Sequence, residues 1–126
     1  MTQSELVAYA EQFRTDNDDD SQFFFPAHEG CWEERTLSPS DFSDVWSTSA
    51  EAREYLEAEI RMRVKDELPH ADFVDMLRHG VKAPVVVTCI DGRYRLWDGY
   101  HRVATAIVRN EPIEAVVGRP LLSKAI

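Results

Sequence analysis

The sequence predicts a small α/β domain of the α+β kind, with a mixed sheet and helices packed around it. Three observations lead to this. The run Val85-Val86-Val87-Thr88-Cys89-Ile90 is apolar and β-branched, the composition of a buried strand. Asp91-Gly92 follows it, a two-residue hairpin signal of the positive-φ kind. Upstream, Ala52, Leu56, Ile60, Val64 and Leu68 recur every four residues, one apolar stripe of a long helix.

In chain order, Leu6, Val7, Ala10 and Phe13 share one face of a predicted helix from Glu5 to Arg14. Asp16 to Asp20 lie in an acidic loop, and Phe23-Phe24-Phe25-Pro26 is an apolar patch stopped by proline. Residues 27–47 read as irregular, with Trp32, Phe42 and Trp46 as anchors onto a neighbouring core. Ser49 is placed to cap the long helix, Ala50 to about Leu68, which Pro69 ends. A second helix fits Ala71 to His79, with Phe73, Val74 and Leu77 inward and Gly80 as its stop. Pro84 opens the strand Val85 to Ile90, and Arg93 to Trp97 return with Tyr94 and Leu96 on one face. A helix to about Arg109 follows Asp98-Gly99, with Val103, Ala104 and Ile107 on its face; Asn110 and Pro112 end it. Ile113 to Val117 form a last strand, closed by Gly118. This order divides the chain into an acidic, aromatic extension, residues 1–48, packing on a core domain, residues 49–126.

The chain has 126 residues, 44% of them hydrophobic, enough for one core. No run of 18 apolar residues exists, so no transmembrane helix is expected, and Met1 to Arg14 lack the pattern of a secretory signal. Two cysteines, Cys31 and Cys89, are too few for a disulfide framework, and a cytoplasmic location is expected. The net charge of −9 argues against nucleic acid as a partner. The acidity is concentrated between Met1 and Asp44, which hold eleven Asp or Glu against two Arg. Gly80 to Ile126 is locally neutral to basic and leaves room for an anionic ligand.

The turn from Trp97 to Val103 carries the most chemistry. A helix start leaves backbone N–H groups unpaired and partially positive. Gly99 lets a phosphate approach the backbone, and His101 and Arg102 add side-chain donors, Arg as a planar fork. Gly99, Tyr100, His101 and Arg102 are thus the candidate phosphate-binding residues, with Lys82 a weaker candidate ahead of the strand. Asp98 is the candidate catalytic residue, through proton acceptance or a Mg²⁺ ion. It is also a natural N-cap, worth about 1 kcal/mol, and that role accounts for Asp98 alone.

Val85 to Gly118, centred on Asp98-Gly99-Tyr100-His101-Arg102, resembles the ParB/sulfiredoxin superfamily. Members show a strand after a proline, a hairpin, a small-residue turn with His-Arg or Arg-Arg, an alanine-bearing helix (here Ala104 and Ala106) and a closing strand. The resemblance covers Val81 to Gly118, reaches back toward Ala71 and leaves residues 1–48 unexplained. It implies a nucleotide ligand, ATP, ADP or CTP, with Mg²⁺. Sulfiredoxins need a cysteine where Tyr100 stands, so their activity is excluded. ParB partition proteins carry a more Arg-rich motif and a helix-turn-helix domain not seen here. The ADP-dependent free serine kinase has Asp-Gly-His-His-Arg, from which Tyr100 departs. The expected function is therefore nucleotide phosphate binding, with phosphotransfer or nucleotide hydrolysis as the candidate reaction. One alternative is a non-catalytic interaction module whose acidic N-terminal half meets a basic partner protein; another is a DNA-associated ParB relative.

Other signals are discounted. Asp16 to Asp20 begin like a calcium loop, but Ser21 and Ala27 stand where Gly and Glu are required. His28 and Cys31 lack a second ligand pair, and His70 and His79 read as surface residues. Glu57, Glu59 and Glu67 suit intrahelical pairing with Arg61, Arg63 and Lys65. One of the three acids is a candidate base brought over the turn, and the sequence does not select which. Phe23 to Phe25, Trp32 and Trp46 are read as core rather than as a partner surface.

Overall fold

A computed structural model describes residues 1–14, 23–42 and 45–121. The acidic run at 16–20 lies outside these residues. The described chain is a mixed α+β domain with the order α1 (Gln3–Glu11), β1 (Gly30–Leu37), α2 (Ser49–Lys65), α3 (Ala71–His79), β2 (Val85–Ile90), β3 (Arg93–Asp98), α4 (Tyr100–Arg109) and β4 (Ile113–Pro120). Short 3₁₀ turns at Ala27–Glu29 and Pro39–Asp41 flank β1.

The strands run β1-β4-β2-β3 across one sheet. β2 pairs in parallel with β4 and antiparallel with β3, while β1 pairs antiparallel with β4. Alternation along each strand sorts side chains to two faces. Val85, Val87, Cys89, Leu96, Ile113, Ala115 and Val117 meet Val103 and Ala106 of α4 in one core cluster. Val86, Val116 and Trp97 point the other way, into a second cluster with Leu6 and Ala10 of α1, Phe25, Ala27 and Trp32. The sheet is thus covered on both faces, and α2 forms a further layer by packing Ala52 and Leu56 on Ala104.

Local chemistry explains the element ends. Thr2 and Glu5 form a capping box at α1, so the helix begins earlier than Glu5. The hydroxyl of Thr48, rather than Ser49, caps α2 by accepting from the Glu51 amide at 3.2 Å. α2 ends at Lys65, before Pro69 can act. Glu67 takes a left-handed φ of 56°, and the Leu68 amide donates back to the Arg63 carbonyl at 2.7 Å, a Schellman closure without glycine. Asn110 (φ 53°) closes α4 the same way, with Glu111 donating to Ala106. In the β2–β3 hairpin, Asp91 and Gly92 both have positive φ, as the Asp-Gly signal predicts.

Three expectations are corrected. Residues 27–47 are not irregular, because Gly30–Leu37 form the edge strand β1, in register with β4 from Gly30↔Pro120 to Leu37↔Ile113. Gly118 does not close β4. It lies inside the strand opposite Trp32, whose indole rests on it so closely that an added Cβ would fall 2.5 Å from the ring. The stripe on α2 is buried only in its first half: Ala52 and Leu56 are inaccessible, but Val64 is 53% exposed and Leu68 45%, because ten-residue α4 is too short to cover a seventeen-residue helix.

The aromatics of the N-terminal region do enter the core. Phe23, Phe25 and Trp32 are buried, and the Trp32 and Trp97 rings meet edge to face at 5.2 Å. Each indole N–H is satisfied by a backbone carbonyl, Trp32 by Ala27 at 2.8 Å and Trp97 by Phe23 at 2.6 Å. β1 is an edge strand, and the Gln3 side chain occupies it at Trp32. Its amide donates to the Trp32 carbonyl (2.8 Å) and its oxygen accepts from the Trp32 N–H (2.7 Å), which blunts one site for strand addition.

Gly118→Ala is expected to cost about 1–3 kcal/mol by overpacking against Trp32, read as a lower urea midpoint. The Glu11 carboxylate accepts from the Ala27 amide at 2.8 Å and pairs with Arg14, and these bonds hold its pKa below the ordinary carboxylate value of 4.5. The stability it contributes is present above that value and is lost as pH falls through the lower folded value. Glu11→Gln should flatten this acid limb of the stability profile, measured by urea unfolding across pH 3 to 6 (roughly the range of carboxylate titration).

Candidate functional site

The corner between β3 and α4 is set by Gly99. It has a φ of 108°, a conformation L side chains rarely adopt, and its Cα backs onto Val85 so closely that a Cβ would lie 2.6 Å from Val85 Cγ1. Gly99, not Asp98, is the N-cap of α4. A glycine cap supplies no side-chain acceptor, so the first amides of α4 are left to other partners. The first intrahelical bond runs from the Val103 amide to the Gly99 carbonyl at 2.9 Å. Asp98 is exposed, just ahead of the cap. The N-cap role weighed for it is therefore taken by its neighbour.

His101 and Arg102 leave the corner in different directions, because successive residues on a helix are turned by about 100°. The Arg102 Nη1 donates to the Pro84 carbonyl at 3.0 Å, and the Tyr9 hydroxyl donates to the same oxygen at 2.6 Å. The Phe13 ring lies 5.8 Å from the Arg102 guanidinium carbon. Arg102 thus ties α4 to the start of β2 and to α1. It is half-buried, and among the described residues this one hydrogen bond leaves most of its five donors uncommitted.

His101 turns to α2 and α3. Its Nε2 lies 3.3 Å from the Tyr55 hydroxyl and 3.6 Å from the Glu59 carboxylate, and the Phe73 ring is 4.5 Å away, centroid to centroid. The same Glu59 oxygen is 3.9 Å from Arg63 Nε. Burial, then the Glu59 charge, push the Tyr55 phenol pKa up, and Arg63 opposes this. Tyr55 therefore stays a neutral hydroxyl at physiological pH, able to donate or accept. Of the three acids on the long helix, position selects Glu59. Four residues before it, Tyr55 shares its helix face, and that face meets α4.

Tyr100 is 37% exposed and meets Trp46 edge to face at 6.4 Å; Trp46 in turn packs on Tyr55 at 4.4 Å. Lys82 is exposed in the loop before β2. The turn therefore joins Gly99, His101 and Glu59 with Tyr55 beside them, and sets Arg102 to one side and Asp98 at the solvent edge. The Tyr55 and Glu59 contributions were not legible from motif reading; their signal was a four-residue spacing, which is equally that of a solvated helix face.

Among the described residues no group of three or more His, Cys, Asp or Glu is placed to hold a metal ion. His28 and Cys31 are both exposed. Asp98 alone would present a single carboxylate to Mg²⁺, a geometry in which substrate phosphates and water supply the other ligands. A groove of about 560 Å³ lies near the other end of α4, between the Ser38–Ser47 segment and Ile107 and Asn110. None of its described lining side chains is ionisable. No helix among the described residues is long and apolar enough to cross a membrane. No family model, curated protein or solved structure matches the chain.

Gly99→Ala is expected to destabilise by about 1–3 kcal/mol, combining left-handed strain with the Val85 clash. The expected readout is a lower melting temperature with a perturbed near-UV signal from neighbouring Trp97. An unchanged melting temperature would show that the corner is more pliant than its geometry indicates.

Proposed function

We propose that this chain binds the phosphate of a nucleotide at the N-terminus of α4, in the manner of ParB/sulfiredoxin-like proteins, and that Glu59 and His101 serve a proton-transfer role beside it. The observation that carries the reading is the glycine-capped start of α4. Gly99 leaves the His101 and Arg102 amides without a side-chain cap at the positive end of the helix. His101 and the uncommitted Arg102 donors stand in the same first turn.

The chemistry follows from what each group can do. A phosphoryl group is handled chiefly by positioning and by neutralising its charge. The helix amides and Arg102 supply that. The Glu59 carboxylate beside the His101 imidazole forms an acid–base pair able to take a proton from a hydroxyl or a water molecule. Asp98, exposed at the lip of the turn, would be the residue to meet a Mg²⁺ ion carried by the nucleotide.

A second reading, a scaffold without a ligand, is favoured by one observation. Arg102 and His101 both have intramolecular partners that give them structural work, at Pro84 and at Tyr55. Titration of ATP, ADP and CTP, with and without Mg²⁺, by calorimetry and thermal shift separates the two. Binding by at least one nucleotide is expected, with a loss of about tenfold or more in affinity for Arg102→Lys, since a lysine lacks the planar fork. Glu59→Gln is expected to retain binding and to lose turnover by on the order of 10²-fold, the usual share of a general base. No binding by any of the three nucleotides overturns the proposal and leaves the scaffold reading.

A further inference from the structure

The outer face of α2 carries a pattern that neither the sheet nor the nucleotide reading uses. Glu51, Glu54, Ala58, Arg61 and Lys65 recur at alternating spacings of three and four, so they form one seam along the helix. All five are exposed, on the side away from Ala52 and Leu56, which face α4. Met62, 46% exposed, lies beside Ala58. The seam is divided by charge, acidic before Ala58 and basic after it. Of the Glu–Arg and Glu–Lys combinations on α2, the structure forms Glu59–Arg63; among the described residues Glu54, Arg61 and Lys65 have no ion pair or side-chain hydrogen bond.

We propose that this seam is a homodimer interface, with α2 packed antiparallel against α2 of a second copy across a two-fold axis near Ala58. The argument is charge complementarity. A two-fold contact uses the same patch on both copies, so the patch must complement itself. Centred on Ala58, the antiparallel arrangement sets Glu51 against Lys65 of the second copy and Glu54 beside its Arg61 and Met62. A parallel arrangement would set acid on acid and base on base, so charge also selects the orientation. Ala58 at the axis allows the helices to approach, and Met62 from each side adds apolar contact. The net charge of −9 on each copy opposes association at long range. Salt near 0.1 M, with a screening length of about 10 Å, weakens that repulsion more than the contact pairs, whereas about 1 M salt weakens both.

The test is the mass of the intact chain by sedimentation or light scattering. At high protein concentration and about 0.1 M salt, the mass should approach twice the 14.5 kDa of one chain, and it should return to the monomer value near 1 M salt. Glu54→Arg and Arg61→Glu, made separately, should each be monomeric with unchanged circular dichroism, since these side chains are exposed. An equimolar mixture of the two variants should recover the doubled mass, because the reversed charges then face each other. A monomeric wild type, a dimer that both variants retain, or a mixture that stays monomeric would each overturn the proposal.

Discussion

The architecture rests on one constraint, that β2 and β4 are apolar on both faces. Val85 and Val87 point one way and Val86 the other, with none of them accessible to solvent by more than 1%, and Val116 and Val117 repeat the arrangement on β4. A strand pair of this kind is stable only when both faces are covered. α4 covers one. The other falls to α1 and to the Phe25–Trp32 segment, so the acidic, aromatic N-terminal region supplies half of the shielding. It also supplies β1, which completes the sheet beside β4. The hydrophobic gain of burying this many large side chains is what offsets the ordering of the described N-terminal residues.

The candidate site follows from the same constraint. Val85 is buried under the corner where β3 hands the chain to α4, and no room is left for a side chain there. Glycine at position 99 is therefore required by packing and by a positive φ together. The absence of a side-chain cap on α4 is the direct result. A structural demand at the core thus leaves the first amides of α4 without a side-chain cap. The same corner sends Arg102 toward Pro84, where it shares an acceptor with Tyr9, and His101 toward α2. The turn is consequently a junction of α1, α2, β2 and α4, and a ligand bound there would touch elements that are far apart in sequence.

Most secondary structure was legible because its signals are local. The Val85–Ile90 strand, the Asp91-Gly92 hairpin, the Ala71–His79 helix and the Asn110 stop all depend on residues within a few positions of one another. What escaped was non-local. β1 reads as polar and irregular because Glu33, Glu34, Arg35 and Thr36 face solvent, and only its pairing with β4 makes it a strand. Gly118 reads as a terminator because a strand glycine usually marks a break, yet here it makes room for the Trp32 indole. The stripe on α2 is continuous in sequence but is buried only as far as α4 reaches.

The sequence by itself determined the fold class, the position of the β3–α4 turn and the residues in it, since binary pattern, turn chemistry and helix caps act over short distances. The tertiary structure alone decided that Gly99 displaces Asp98 as the cap, that His101 and Arg102 part company, and that Glu59 rather than Glu57 or Glu67 stands beside the imidazole. Those outcomes depend on which helix face meets which neighbour. That is set by the packing of α2 on α4, a contact between residues more than forty positions apart for which no local pattern exists.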